Sequence, residues 1–264
     1  MLRSTLLIIF TVRTVYNRVM PAYAHIYLTG DTHGDFRELC RTLTAMHVTA
    51  DDLVIILGDA GLNIDNGEHD LAARRLLNTV PCTFFCVHGN HERRPTSPGI
   101  RWKYRPFIWC FGIAYMELEY PRFIFAKDGE HYRINNREFL VIGGAHSIDR
   151  RIRAARGLPW FRDEQLNRFE QKAVLRSVRD HQLREDIILA HTCPYRFRPF
   201  TKVPPGCEPD WSMEVLLQKV LDMIEDRYTS FWCGHWHLEQ TSGKVHFLYL
   251  SVIELPPKTE PGLE

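Results

Sequence analysis

Eight side chains of this 264-residue chain are of types that bind metal ions or transfer protons, and they fall in five short clusters. They are Asp31, His33, Asp59, Asn90, His91, His191, His235 and His237. A histidine standing alone in a loop is more often a structural residue than a ligand, but five such clusters favour one shared site. Carboxylate, imidazole and amide donors without cysteine suit Mn, Fe, Zn or Ni better than a structural zinc knot. The set therefore predicts a metal centre.

Each cluster directly follows a hydrophobic run with the character of a β-strand. The runs are His25–Thr29, Leu53–Leu57, Thr83–His88, Ile187–Ala190 and Ser230–Cys233. In an open α/β sheet, ligands bind in the crevice at the carboxyl ends of the strands, so these runs would bring the clusters together. Glycines beside four of the five clusters allow the tight turns and close backbone approach that a crowded site requires.

Helical periodicity alternates with these runs, and the opening β-α-β-α-β order implies parallel strands with right-handed crossovers. The predicted helices span residues 35–47, 68–78, 162–183 and 213–227. Short segments broken by Gly, Pro and Asp-Gly indicate a meander of further strands. These strands are predicted at 107–111, 115–119, 122–126, 139–142 and 246–251. The order predicts an α/β protein with two sheets packed between helical layers.

Composition limits the partners and the compartment. The chain is 45% hydrophobic with a formal net charge of +1, so it has ample core and no global field to recruit nucleic acid or a membrane. Nucleic-acid binding stays open but is not favoured, no membrane association is expected, and nothing indicates an oligomeric state. Seven cysteines without a CxxC pair favour buried, reduced thiols in a cytoplasmic protein.

The chain ends are expected to lie outside the folded unit. Residues 1–20 superficially resemble a secretory signal, but Arg13 and Arg18 interrupt an apolar stretch that is too short to span a bilayer. We expect a poorly ordered extension over residues 1–20, one folded domain over 21–256 and a tail over 257–264.

Eight donors are more than one ion takes from protein while leaving an open position. Two ions that share a carboxylate fit better, as in two-metal hydrolytic sites. The order Gly-Asp-x-His, Gly-Asp, Gly-Asn-His-Glu, His, Gly-His-x-His, from Gly30 to His237, resembles the calcineurin-like metallophosphoesterases. The stretch from Trp160 to Gln165 is similar to a bacterial and phage-type subgroup of that superfamily.

The resemblance implies a four-layer α/β/β/α sandwich with two mixed sheets and a dinuclear site at the strand ends. It also implies a role for each clustered residue: Asp31, His33 and His237 on the first ion, Asn90, His191 and His235 on the second, and Asp59 between them. His91 would be the catalytic residue beside a phosphoester small-molecule substrate, as a hydrogen-bond donor or general acid. A hydroxide bridging the metals would attack phosphorus.

One departure bears on the substrate. In many phosphomonoesterases of this superfamily, the second motif reads Gly-Asp-x-x-Asp-Arg. This chain has Leu62 and Asn63 at the last two positions of that motif. Phosphodiesterase-like branches often lack the same pair, so phosphodiesters are slightly preferred over phosphomonoesters. The alternatives are a nuclease of the same superfamily, which would need a basic groove, and a non-catalytic metal-binding scaffold for protein partners.

Several other residues are candidates for lesser roles. Four arginines could bind an anionic substrate: Arg93, Arg94, Arg150 and Arg151. Arg153 and Arg156 extend the second pair, although a solvated helix entry explains that stretch as well. We interpret His146 and Trp236 as structural, and Cys193 as a small buried residue, not a nucleophile.

Overall fold

The computed structural model describes residues 21–181, 187–200, 203, 205, 207–225 and 227–257. The predicted extension over residues 1–20 and nearly all of the predicted tail lie outside the described residues. Among those residues, no helix is both long and apolar enough to cross a bilayer.

The described strands form two mixed sheets. The first sheet contains β1 (Ile26–Thr29), β2 (Leu53–Ile56), β3 (Thr83–Cys86), β4 (Tyr104–Trp109), β5 (Gly112–Glu117), β6 (Phe123–Ala126) and β13 (Ile253–Glu254). Its strand order is β13-β1-β2-β3-β6-β5-β4. The second sheet contains β7 (Glu130–Ile134), β8 (Arg137–Ile142), β9 (Ile187–Ala190), β10 (Ser230–Cys233), β11 (Gln240–Ser242) and β12 (Val245–Phe247), in the order β11-β12-β10-β9-β8-β7.

Parallel pairing is confined to the middle of each sheet. Strands β1, β2, β3 and β6 run parallel to one another, and so do β8, β9, β10 and β12. The outer strands pair antiparallel. The carboxyl ends of the central strands of each sheet therefore lie at one edge, where polar loops can meet.

The helices among the described residues are α1 (Arg37–Ala45), α2 (Glu68–Leu77), α3 (Arg150–Ala155), α4 (Arg168–Asp180) and α5 (Ser212–Ile224), with 3₁₀ turns at Arg101–Lys103 and Tyr195–Phe197. Four of the five described helices pack against the outer faces of the sheets, and the short helix α3 has no buried residues. Alternation along β2 explains the layers: Leu53 and Ile55 pack against the second sheet, whereas Val54 and Ile56 pack against α1 and α2. A third core lies between the second sheet and helices α4 and α5. The predicted α/β/β/α sandwich is confirmed.

Several predicted boundaries were wrong. Helix α4 begins at Arg168, not at residue 162, because Asn167 caps it: its side chain accepts from the amides of Phe169 and Glu170, and Glu170 bonds back to the Asn167 amide. Four further elements were not predicted from the sequence: strands β7, β11 and β13 and helix α3. The last predicted strand, 246–251, is shorter and covers Val245–Phe247.

Candidate metal centre

The loops that follow β1, β2, β3, β9 and β10 meet at one end of the two sheets. The ring of His191, after β9, donates from Nδ1 to the carbonyl of Leu57, after β2, at 2.8 Å. The amide of His235, after β10, donates to both carboxylate oxygens of Asp31, after β1, at 3.0 and 2.9 Å. These contacts link the two sheets and bring the predicted ligands together.

The first group of side chains comprises Asp31, His33 and His237. The Nε2 atoms of the two histidines are 3.2 Å apart, and Nε2 of His237 is 3.9 Å from Oδ1 of Asp31. Two nitrogens bound to one tetrahedral ion at 2.0–2.1 Å would be roughly 3.3 Å apart. The spacing and chemistry of this donor set therefore fit a divalent ion.

The second group comprises Asn90, His191 and His235. Oδ1 of Asn90 is 2.8 Å from Nε2 of His191 and 3.0 Å from Nδ1 of His235. The amide nitrogen of Asn90 donates to Ser147 Oγ at 2.9 Å, which turns the amide oxygen toward the histidines. An oxygen and two imidazole nitrogens thus converge on one point.

Asp59 lies between the two groups and is 1% exposed. Its Oδ2 atom is 3.8 Å from Nδ1 of His33 in the first group and 3.5 Å from Nε2 of His191 in the second. Its Oδ1 atom accepts from the backbone amide of His91 at 2.8 Å. A single carboxylate therefore reaches both groups.

The charges of the buried cluster are strongly coupled. Burial would lower the pKa of His191, but the Asp59 carboxylate outweighs it and raises the pKa to about 9. Burial would raise the pKa of Asp59, yet His191 holds it well below its usual range. Burial also lowers the pKa of His33 to about 4 and that of His235 well below its usual value. His191 therefore carries the charge that compensates Asp59, whereas burial favours the neutral form of His33 and His235.

Several residues of the site have a left-handed backbone conformation, which is uncommon for residues other than glycine but frequent at functional sites. Five of the predicted ligands adopt left-handed φ values between 48° and 68°: Asp31, His33, Asp59, His235 and His237. Such conformations cost roughly 1–3 kcal/mol each and persist where the surroundings enforce them. Two glycines permit the packing: a Cβ on Gly89 would lie 2.0 Å from Oδ1 of Asp59, and one on Gly58 would lie 2.1 Å from Nδ1 of His191.

His91 borders the first group, with its ring centroid 5.4 Å from that of His33. Its Nε2 atom is 3.4 Å from Nη2 of Arg153 in α3, and Asp149 holds Arg153 through Nε at 3.0 Å. Burial lowers the pKa of His91, and the nearby guanidinium of Arg153 lowers it further. One ring nitrogen of His91 therefore faces Arg153 at the edge of the cluster.

The other candidate arginines lie in different surroundings. Arg94 is buried and donates to the Asp128 carboxylate and the Asp163 carbonyl, contacts that give no support to substrate binding. Arg93 is half-buried, with its guanidinium 5.5 Å from the ring of Phe161. Arg150 begins α3, and exposed Arg151 pairs with Glu208 at 2.8 Å. Of the arginines in α3, Arg153 is the one that contacts a predicted catalytic side chain.

Neighbouring residues hold the loops in place. Glu92 is buried and accepts from the amides of Gly61 and Gly89, which ties the second and third clusters together. Burial, with the charge of Asp59 adding to it, raises the pKa of Glu92 to about 7. His146 donates to the Glu208 carbonyl, and Trp236 donates to Thr192 Oγ1. All seven cysteines are free, and Cys193 is buried with its pKa raised by burial.

Three of these roles have little or no signal in the sequence. Ser147 orients Asn90 but lies in a loop with no spacing pattern. Arg153 is one of four arginines in a short stretch, and only its position around the helix axis brings it to His91. Glu92 joins two loops through contacts that form only in the folded chain. Its position next to His91 in the sequence does not predict these contacts.

The chain belongs to the calcineurin-like phosphoesterase family, whose model matches residues 24–239. Part of the chain is also similar to serine/threonine-protein phosphatase 2 of Salmonella typhimurium (strain LT2), with 44% identity over 71 residues. The protein of the same description from Escherichia coli (strain K12) is 35% identical over 97 residues.

These two matches are partial. They cover 26% and 34% of this chain, and 30% and 42% of the relatives' own lengths. Family membership and the phosphatase relatives together support metal-dependent hydrolysis of phosphoester bonds.

Proposed function

We propose that this chain hydrolyses phosphoester bonds with two divalent ions held at the candidate metal centre. The observation that carries the proposal is the position of Asp59, whose one carboxylate oxygen lies within 3.8 Å of His33 and 3.5 Å of His191. Asp31, His33 and His237 would hold the first ion, Asn90, His191 and His235 the second, and Asp59 both. Mn, Fe, Zn and Ni suit this donor set.

The ions, when bound, would supply positive charge for the phosphoryl oxygens and a water of lowered pKa. The protein contributes a rigid set of donors, because the backbone of His235 fixes Asp31 and the amide of His91 fixes Asp59. Preorganised groups of this kind stabilise developing charge without reorganising during the reaction.

His91 is the proposed catalytic acid. Its ring stands beside the first group but outside the close contacts among the proposed ligands. It would donate a hydrogen bond to a phosphoryl oxygen or a proton to the leaving-group oxygen. Arg153, close to His91 Nε2, would orient the ring and add positive charge near the phosphate.

We propose phosphodiesters as the preferred substrates. Asn63 stands where many monoesterases carry a phosphate-binding arginine, and here it is buried, with Oδ1 accepting from Arg74 and from the Tyr104 hydroxyl at 2.9 and 2.5 Å. It therefore offers no clamp for the extra negative charge of a monoester. Phosphomonoesters are the second candidate, favoured by the phosphatase names of the relatives.

The bounds of the catalytic unit and the cellular compartment are also proposals. We place the catalytic unit at residues 21–256. We place the protein in the cytoplasm, because its seven cysteines are all free thiols. Small-molecule phosphoesters are the proposed substrates. A nuclease is a weaker alternative, because the near-zero net charge argues against a nucleic-acid groove. A protein-binding scaffold is also weaker, because the complete donor set argues for catalysis.

The test compares two chromogenic substrates, bis(p-nitrophenyl) phosphate and p-nitrophenyl phosphate, with the protein reconstituted separately with Mn, Fe, Zn and Ni. We expect hydrolysis of both with at least one metal and a higher kcat/KM for the diester. A higher value for the monoester would reverse the substrate preference. Stoichiometric metal without turnover of either substrate would instead favour the scaffold.

A further inference from the structure

The cleft that contains the candidate metal centre extends well beyond it. It has a volume of about 400 Å³, within the range of small-molecule sites. One end is lined by Asp59, Asn90 and His91, and the other by Trp211, Trp236 and Glu214. The second end has no part in the proposed hydrolysis, so it is available for the remainder of the substrate.

The rings of Trp211 and Trp236 form an aromatic wall at this second end. The rings of Trp211 and Trp236 are nearly parallel, at 12°, with centroids 6.3 Å apart. Trp236 adjoins the metal centre, since its ring centroid lies 5.5 Å from that of His235. Arg198 lies 3.8 Å from the centroid of Trp211 and supports that ring. The wall therefore runs from the metal centre into the outer cleft.

Hydrogen bonds hold this wall in place. The indole N–H of Trp236 donates to Thr192 Oγ1 at 3.1 Å, and the hydroxyl of Thr192 donates to Oε1 of Glu214 at 2.8 Å. Thr192 follows the proposed ligand His191 directly. The same short chain of contacts thus fixes the wall relative to the metal centre, which lowers the entropic cost of binding a ligand.

Glu214 leaves one hydrogen-bonding position open. The residue is 1% exposed, and its Oε2 atom has no hydrogen-bond partner among the described residues. A buried carboxylate oxygen without a partner is costly, and such atoms call for an explanation such as a bound ligand. Since Glu214 lines the cleft beside the wall, a ligand there could supply the missing donor.

We propose that this end of the cleft binds a nucleobase of the substrate, with its face on Trp211 and Trp236 and an N–H donor on its edge bonded to Glu214. The inference rests on the proposed phosphoester hydrolysis and names the substrate class as nucleoside phosphoesters. A flat ring matches the indole wall, and the edge donor matches the open carboxylate oxygen. A simple aryl group would satisfy only the first of these features.

The test uses three p-nitrophenyl phosphodiesters with the same scissile bond, carrying adenosine, purine riboside or methyl on the other side. Purine riboside differs from adenosine in lacking the amino donor. We expect kcat/KM to be about tenfold higher for the adenosine ester than for the methyl ester, as base–aromatic stacking allows. The purine riboside ester should lie between them.

Two variants separate the wall from the carboxylate. Trp211→Ala should lower the adenosine-to-methyl ratio about tenfold, and Glu214→Gln, which keeps an acceptor for Thr192, should remove the difference between adenosine and purine riboside. Trp102→Ala is the matched control, because Trp102 is 66% exposed and lies outside this cleft. It should leave all three values unchanged.

Equal kcat/KM values for the three esters, or ratios that Trp211→Ala leaves unchanged, would overturn the inference. If no ester is hydrolysed, the proposed function fails, and a binding measurement then decides the inference separately. Adenosine monophosphate should shift the indole N–H resonances of Trp211 and Trp236 in the NMR spectrum, whereas methyl phosphate should not. Identical responses to both compounds would refute nucleobase binding.

Discussion

At the scale of single residues, the proposed roles separate the metal ligands from His91. The ring centroid of His91 is 5.4 Å from that of His33, and its backbone amide donates to Asp59 at 2.8 Å. Removing the His91 side chain should therefore affect the rate and not the bound metal.

His91 offers a direct test of the division between ligand and acid. His91→Ala should keep the metal content of the wild type but lower kcat by roughly 10²–10⁴-fold, the usual effect of removing a general acid. His25→Ala is the control, because His25 is an exposed histidine paired with Glu254 on the surface. Metal content and steady-state rates are measured on the same samples. Loss of metal from His91→Ala would mean that His91 is a ligand.

The charge state of His191 predicts that metal binding releases protons. Its pKa is raised to about 9 in the metal-free protein, so the ring is charged at pH 7, whereas a metal ligand must be neutral. The ion pair with Asp59 stabilises the metal-free fold fully below pH 6.5, and this contribution is lost as the pH rises through about 9. Metal affinity should therefore increase over that range.

Calorimetry in buffers with different ionisation enthalpies measures the released protons. At pH 7 the binding heat should depend on the buffer, with release of about one proton or more per chain. Above pH 9 the contribution of His191 should disappear, which provides an internal control. A binding heat that is independent of the buffer at pH 7 would contradict the charge assignment.

Most residues of the candidate site could be predicted from residue type and position. Asp31, His33 and Asp59 each follow a buried strand, and the structure brings them together. Residues that depend on helix phase or on distant loops could not be predicted. Trp211 and Glu214 lie near the start of a helix whose periodicity indicates only packing, and no spacing connects them to the metal centre.

At the scale of elements, the strands that carry the site were predicted better than the elements around it. Hydrophobic runs such as Leu53–Leu57 are buried on both faces, and a strand of this kind has a clear sequence signature. Strand β7, which begins at Glu130, was missed because buried and exposed residues alternate over only its last three positions. The start of α4 was misplaced because its capping box at Asn167 was not recognised.

The loops at the strand ends can be tested with two glycines that have nearly the same backbone conformation. Gly58 and Gly99 have φ values of 91° and 89°, but a Cβ on Gly58 would strike His191, whereas one on Gly99 meets nothing within 4 Å. Gly99→Ala should cost about 1–2 kcal/mol of unfolding free energy from its left-handed conformation alone. Gly58→Ala should cost about 1–3 kcal/mol more and displace His191.

Urea unfolding of the metal-free proteins, together with their metal content after reconstitution, distinguishes the two variants. Gly58→Ala should lose metal and activity, and Gly99→Ala should retain both. If both variants lose stability equally and keep their metal, the close approach of the second cluster to His191 is not required.

At the scale of the whole molecule, the site depends on two sheets that pack through one core. The first sheet supplies Asp31, Asp59 and Asn90, and the second supplies His191 and His235. The order of elements predicted two sheets packed between helical layers, whereas the four-layer α/β/β/α arrangement was an expectation from the family resemblance, because no local pattern specifies which strand ends face each other. Ions bound at this junction should stabilise the folded state, since they would bind the unfolded chain poorly.

Metal content is the most direct test of the central claim that Asp59 binds two ions, which are held by residues from both sheets. Elemental analysis after reconstitution and removal of excess metal should find two divalent ions per chain in the wild type, and the same in Asp51→Asn, which changes an exposed aspartate. Asp59→Asn should lose bound metal and activity together. A wild-type protein that binds no ion, or an Asp59→Asn protein with two ions and full activity, would contradict the account.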